Sequence, residues 1–542
     1  MKQKIKVGLL LNSYEIETWA YIAIKRVFQS ANTDIDLVII NDHQKTASKP
    51  AQPPKIVYRL FDSVDKLLNK NYFGYKKPKS IQRLLTAIKT INIDCAINQL
   101  DLQQINDNKL DILINLNSGV LTGDILDVAK YGVWSYQFGD INFNRGELVG
   151  FWEAMTCQPA IGVNIKRLES KHLPEQILYQ SSVVSEEFKP SPNKSQLHYL
   201  AAGFLSRQID LLYNLGEKLF FLQVNKYNNE INYLSYPDFK QPDNFEAMLL
   251  FGKYLFNTGI RIIRRLFYYE HWYLFYNLNP KTSDVLNQYQ KLMPAKDRFW
   301  ADPFVIYTQE KYYIFFEELM YGTNRAHLSV IEMDTDGKCS EATIILKKDY
   351  HLSYPFIFEY ENKFYMIPES IENKTIELYE CTDFPMQWKF KMNLMEDICA
   401  VDSTLFFKDN KWWLFTAMED VKGSSTGNEL FLFWADTPFT QHWTSHPLNP
   451  VVSSVKTARP AGKIYIKNNK IYRPSQDCSL RYGHYTNINE ITELTETTYS
   501  EKLVNRITPN WDKEVIGTHT LNADKNMTIV DAYYSRRKYF NK

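Results

Sequence analysis

Five positions along the C-terminal half of the chain carry groups suited to sugar chemistry: Asp302, Tyr354, Asp402, Arg459 and His519. Each opens or precedes an apolar segment. The residue six places after the lysine of the following turn is Glu317, Glu369, Ala417 or Gln476, with Asp477 adjacent. Carboxylates gathered beside an arginine and a histidine suit glycosidic bonds, because like charges raise one carboxyl's pKa so that it serves as an acid while another stays ionised. Singly, each residue has a structural reading: Asp before Pro is a common turn residue, and the glutamates of FFEE can be solvated strand ends. As a set at equivalent positions of a repeat, they point to a shared site.

The repeat positions them. ADPFVIYTQEKYYIFFEEL (301–319) describes two strands around a tight turn, with aromatics suited to a pleated, half-buried surface. Four further copies follow, with turns reading QEK, ENK, DNK, NNK and DKN. In the first three copies the leading residue lies nine places before the turn lysine: Asp302 to Lys311, Tyr354 to Lys363, Asp402 to Lys411. Arg459 to Lys470 is two longer and His519 to Asn526 two shorter. The copies begin 48 to 60 residues apart, the range of four-stranded propeller blades, so five copies predict five blades with the leading residues on the axis. HWYLFYNL (271–278) reads as an outer strand closing the ring, which removes the last open edge.

A chain of 542 residues divides into two or three domains. With 63 basic against 62 acidic residues there is no broad basic surface, which argues against nucleic-acid binding. The six cysteines show no CxxC or paired spacing and read as reduced thiols of a cytoplasmic protein, with no metal and no cofactor. The apolar run near the N-terminus is too short for a signal segment, and no window is long enough to span a membrane.

Residues Ile5 to Leu11, Trp19 to Phe28 and Ile35 to Ile40 give a β-α-β opening. Ser80 to Lys89 has helical spacing, Leu110 to Leu116 is an apolar strand, and Ile125 to Ala129 a helix leading into GVWSY. Alternating strands and helices predict a parallel, doubly wound sheet, without the GxGxxG of a dinucleotide site. From Glu186, FKPSPNKS reads as a linker. The helical stretch beyond it carries Arg261, Arg264 and Arg265, as a connecting helix packed on the propeller or a membrane-surface helix.

Two families are resembled. DILINLNSG, ILDVAKYG, GVWSYQFGDINFNRGELVG, GVNIKRL and ILYQSSVV resemble the formyltransferase fold over roughly residues 1 to 185, with Gly132, Arg145, Gly146 and Gly162 in step. Ser135 and Gln137 stand where that family has its catalytic Asn and His, and its Asp falls at Leu173 and Pro174, nearest Glu175. Gln137 can bind but cannot relay a proton, so a degenerate site (Ser135, Gln137, Asp140) and no formyl transfer are expected, a sugar-modifying formyltransferase being the lesser alternative. Asp140 and Glu153 are the other polar residues near the expected cleft.

From about 270 onward, WADPF, SYPF with MIPES, VDSTLF, RPAG, RPSQDCSLRYG and GTHTLN resemble the five-bladed N-terminal domain of glucosamine inositolphosphorylceramide transferases, found also in bacterial proteins joined to a formyltransferase-like domain. That domain is similar to the arabinanase, levansucrase and invertase class. The resemblance implies Asp302 as base or nucleophile; repeat position alone assigns Glu369 as acid and Asp402 as orienting carboxylate. Tyr354, Arg459, Asp477, His519 and Glu317 would bind a carbohydrate or glycolipid substrate. The expected layout is an α/β formyltransferase-like (Rossmann-type) domain over 1–185, a helical linker over 186–268 and an all-β five-bladed propeller over 269–542. The alternative function is a non-catalytic carbohydrate-binding or scaffolding protein. Sequence leaves the sugar, the acceptor and the oligomeric state open.

Overall fold

The computed structural model describes residues 2–41, 55–93, 97–116, 121–140, 143, 148–230, 239–279, 286–323 and 325–538. The chain forms two compact units, residues 1–258 with 420–424, and residues 259–419 with 425–542.

The first unit holds a seven-stranded sheet in the order Lys89–Ile93, Thr33–Asn41, Ile5–Leu11, Ile112–Asn115, Val133–Phe138, Ala160–Arg167, Gln176–Val184. The first five strands are parallel, the sixth runs against them, and the seventh pairs antiparallel with the sixth. Alternate residues of the central strand enter opposite cores: Val7, Leu9 and Leu11 join one cluster and Leu10 the other. Burial on both faces explains the continuous apolar runs.

Three expectations fail here for physical reasons. Ser80 to Lys89 is not a helix. Pro78–Ser80 pairs with Glu15–Glu17, and the chain then turns on backbone bonds from Leu84 and Leu85 to the Ile81 carbonyl. Ile81 and Leu85 are buried, so their helical spacing reflects a turn facing the core. Ile125 to Ala129 yields one 3-10 turn, Asp124–Asp127. FKPSPNKS starts the helix Pro190–Ala201, with proline in its first turn where no N–H is needed. Leu197, Leu200, Phe204, Ile209 and Phe220 bury into the first unit's core, so this stretch is part of that unit.

The second unit is a five-bladed propeller. Its blades are the sheets spanning 298–346, 353–396, 400–453 and 465–507, and a fifth made of Leu521–Asp524, Met527–Arg537, Tyr268–Asn277 and Gln290–Leu292. The fifth blade joins both ends of the unit, since Tyr268–Asn277 pairs along its length with Met527–Arg537. Residues 271–278 were expected outermost; Gln290–Leu292 lies outside them, placing Tyr268–Asn277 third. Four repeat turns close two-residue loops with both central residues at positive φ: Gln309 and Glu310, Glu361 and Asn362, Asp409 and Asn410, Asn468 and Asn469. Such turns match the twist of the flanking strands, which accounts for the recurring Asn and Asp. Neighbouring blades share apolar side chains, as where Phe304 of the first meets Tyr354 of the second edge-on at 4.8 Å.

Candidate functional site

The axial residues are aimed by bulges. In the inner strands Arg298–Thr308, Ser353–Tyr360 and Ala400–Lys408, the pairing register slips between Ala301 and Phe304, Ser353 and Phe356, and Val401 and Thr404. Inside each slip stands a non-glycine residue at positive φ: Asp302 (52°), Tyr354 (42°) and Asp402 (52°). A bulge of this kind re-aims one side chain, and its strain persists only where surrounding contacts fix it. The shared interval to the turn lysine is therefore the signature of a repeated bulge. Arg459 and His519 precede shorter inner strands, Tyr465–Lys467 and Leu521–Asp524.

Two charge networks meet at the axis. In the first, His519 lies between two aspartates, with Nε2 3.3 Å from Asp302 Oδ1 and Nδ1 2.6 Å from Asp531 Oδ2. The Nδ1 contact is an ion pair lying off hydrogen-bond geometry. Asp531 accepts backbone N–H bonds from Asp302 (3.0 Å), His519 (3.0 Å) and Thr520 (2.9 Å), and Thr520 Oγ1 donates to Asp302 Oδ1 at 2.7 Å. Burial alone would lower the histidine's pKa, but the charges of Asp531 and Asp302 outweigh it and push it up to about 9. Burial pushes Asp302 up to about 7 against the pull of His519, with Asp402 and Glu317 adding to the rise. Burial works against ionised Asp531 too, yet His519 and the backbone donors hold its pKa below the ordinary value.

In the second network, Arg459 Nε donates to Asp402 Oδ2 at 2.5 Å, and its Nη2 lies 3.5 Å from Glu369 Oε2. Gln476 Nε2 donates to the same Asp402 oxygen at 2.9 Å. Burial and the neighbouring Asp402 raise the Glu369 carboxyl well above its usual range, so it holds its proton against Asp402. Tyr482 covers both networks: the Arg459 guanidinium lies 5.0 Å from its ring centre, and the ring meets His519 edge-on at 5.2 Å. Tyr482 is 47% exposed and the Arg459 side chain 14%, so on this side the buried networks border solvent. The glycines of RPAG and RYG serve this packing. A Cβ on Gly462 would sit 2.0 Å from the Leu521 carbonyl oxygen, and one on Gly483 would sit 2.6 Å from the Trp272 ring.

The structure thus brings together Asp302, Asp402, Glu369, Arg459 and His519. Glu317 lies beside them, 3.3 Å from His351 Nε2. Tyr354 is fully buried, its hydroxyl bonded to Thr404 Oγ1 (2.9 Å) and to the Gly462 N–H (2.8 Å), so it braces the site instead of facing a ligand. Asp477 is turned away: strand alternation sends Gln476 to the axis and Asp477 to Ser479 and Arg506. Arg459 pairs with Asp402 and Glu369, while His519 is the counter-charge of Asp302. Asp531 escaped the sequence reading because it stands five places after the shortened fifth turn, where Ala532 stands six. Its signal was a lone charge inside MTIVDAYY. Atoms of Asp302, His519 and Asp531 lie within 4.8 Å of one another, a donor set a cation could use. The raised histidine pKa means that its own proton supplies positive charge there.

In the first unit, Ser135 and Gln137 lie on Val133–Phe138, and Ser135 Oγ donates to the Asn115 carbonyl at 3.4 Å. Asp140 sits at the end of that strand, its backbone so close to Gly162 that a Cβ there would lie 2.8 Å from the Asp140 Cα. Glu153 is buried and accepts the Gly150 N–H at 2.7 Å. Glu175 pairs at the surface with Lys166. Arg145 and Gly146 lie outside the described residues.

Residues 287–527 match the family described as "Glucosamine inositolphosphorylceramide transferase 1, N-terminal". Among curated proteins, the chain is 36% identical over 210 residues to glucosamine inositolphosphorylceramide transferase 1 of Oryza sativa subsp. japonica, and 29% identical over 206 residues to that of Arabidopsis thaliana. Each match covers 38% of this chain; it spans 28% of the rice protein and 27% of the Arabidopsis one. Among solved structures it is similar to Zg3597, a family 117 glycoside hydrolase of Zobellia galactanivorans (10% identity, 51% of this chain, 93% of that one, TM-score 0.33). It is also similar to the α-L-arabinanase of Cellvibrio cellulosa (12% identity, 38% and 77%, TM-score 0.29).

Proposed function

We propose that the propeller is a carbohydrate-active module that takes a glycan or glycolipid head group at the axial mouth beneath Tyr482. One observation carries this reading: leading residues of separate blades converge so that a protonated carboxyl, Glu369, lies beside the Asp402–Arg459 pair. Glu369 is the general acid, and Asp402 orients it and raises its pKa. Asp302, with a pKa near neutrality, is the base or nucleophile. Arg459 and Tyr482 supply the anion contact and stacking face a sugar phosphate or polyol needs. The inositolphosphorylceramide in the relatives' names is a lipid with such a head. Binding of the full chain to a glycan and glycolipid array tests the reading: Arg459→Met should lose any ligand retained by the parent, and an array with no ligand for the parent would refute it.

A second reading, binding without turnover, draws on the saturation of Asp302 and Asp402, each at most 4% exposed in its side chain and already bonded to Thr520 or to Gln476 and Arg459. It predicts ligand binding with no product. For the first unit we infer a formyltransferase-like fold with a proton-inert centre at Ser135 and Gln137, supported by the parallel sheet that puts both on one strand. Cytoplasmic residence is inferred from the free thiols among the described cysteines. Cell fractionation checks it, and recovery with an extracytoplasmic fraction would refute it.

A further inference from the structure

The helix Asn244–Phe267 buries only Ala247 and Tyr254 fully along its 24 residues. Those two side chains pack into an aromatic cluster with Tyr58, Phe61 and Phe151 of the first unit, Tyr254 lying 4.9 Å from Phe61 and bonding Asp65 through its hydroxyl. These two positions therefore pack within the first unit. Its opposite face is apolar and uncovered. Phe245, Leu249 and Phe256 lie on one stripe at 68%, 58% and 69% exposure, and Ile263 continues the spacing. The helix Ile56–Leu68, packed directly against it, repeats the pattern. It buries Tyr58, Phe61 and Asp65 and leaves Ile56, Leu60 and Leu67 exposed, the last by 75%.

Isolated exposed leucines need no explanation, but two adjacent helices each with a continuous apolar stripe do. The charge beside the stripes names the occupant. The longer helix carries four basic residues, Lys253, Arg261, Arg264 and Arg265, against one acidic residue, Glu246. At about 100° per residue Lys253 and Arg264 fall beside its stripe, while Arg261 and Arg265 fall on the face opposite it. Basic groups bordering an exposed apolar face on a helix lying in the interface plane suit an anionic lipid surface. The helix is not long and apolar enough to cross a bilayer, so it would lie on one.

We propose that these two helices dock the protein on an anionic membrane surface, independently of what the propeller binds. The experiment is co-sedimentation of the full chain with vesicles of phosphatidylcholine alone or with about 30% phosphatidylglycerol. Size-exclusion chromatography with light scattering is run in parallel. The parent should pellet with the anionic vesicles and about tenfold less with the neutral ones, losing binding as salt rises. Leu249→Glu with Phe256→Glu, both on exposed positions, should abolish pelleting while leaving the melting temperature unchanged. Lys253→Glu with Arg264→Glu should remove the preference for anionic lipid. Failure of the parent to pellet would overturn the proposal. So would a dimer that dissociates in the Leu249→Glu, Phe256→Glu variant, since the face would then join two copies of the chain.

Discussion

The propeller axis and the strand Val133–Phe138 are two places where polar residues stand on an apolar frame, and they handle charge in opposite ways. On the axis, aspartates, a glutamate, a histidine and an arginine share one buried space, and their pKa values spread apart: Glu369 upward, Asp302 to about 7, His519 to about 9. On the strand, the corresponding positions hold Ser135 and Gln137, neutral groups that can hydrogen-bond but exchange no proton near neutral pH. A fold keeps costly buried charge where neighbours neutralise it, and the separated pKa values provide acid and base together. The neutral strand costs little and can do no such chemistry.

The largest test of this contrast is Arg459→Met. Removing the guanidinium leaves Asp402 buried without its cation, and urea denaturation should show a loss of about 3 to 5 kcal/mol. Gln137→Ala in the first unit should cost less than about 1 kcal/mol. Equal losses would erase the distinction between the regions.

Next in size is the pH dependence carried by His519. An unfolded histidine titrates near 6.5 and this one near 9, so between those values the folded state holds the extra proton. Its contribution is complete below about pH 6.5 and is lost as pH climbs through 9, up to about 3 kcal/mol in all. Denaturant midpoints across pH 6 to 10 should fall in the parent and fall much less in His519→Gln. A parallel decline in both would place the proton elsewhere.

Much of the second unit was legible because a repeat writes its geometry several times. The nine-residue interval from Asp302, Tyr354 and Asp402 to their turn lysines encodes both the bulge and the two-residue turn. Where the interval changed, the leading residues Arg459 and His519 were still found but their partners were not: the shortened fifth copy hid Asp531, and which of Gln476 and Asp477 faces the axis needed the register. Partners were less legible than positions. Asp302 is neutralised by His519 and not by Arg459, since which cation faces which carboxylate depends on ring order and side-chain reach. In the first unit, Ile81, Leu84, Leu85 and Ile88 mimic a helical face because a core-facing turn buries the same spacing, and the prolines at 190 and 192 start a buried helix instead of ending a domain.

A smaller effect is expected on the neutral strand. The full chain should give no product from a formyl-folate donor and an amino-sugar acceptor, since Gln137 cannot relay the proton. Product that vanishes in Gln137→Ala would show that the strand is as active as the axis.

The central claim is that Glu369 acts as an acid on a glycan held at the axis, and Glu369→Gln addresses it most directly. The amide keeps the size and hydrogen bonding of a protonated carboxyl but cannot give up a proton to a leaving oxygen. With the glycan or glycolipid that the parent retains on the array, turnover should fall by about a hundredfold or more while the dissociation constant stays within about threefold. Unchanged turnover in Glu369→Gln, or a parent that binds the ligand and releases no product, would contradict the account.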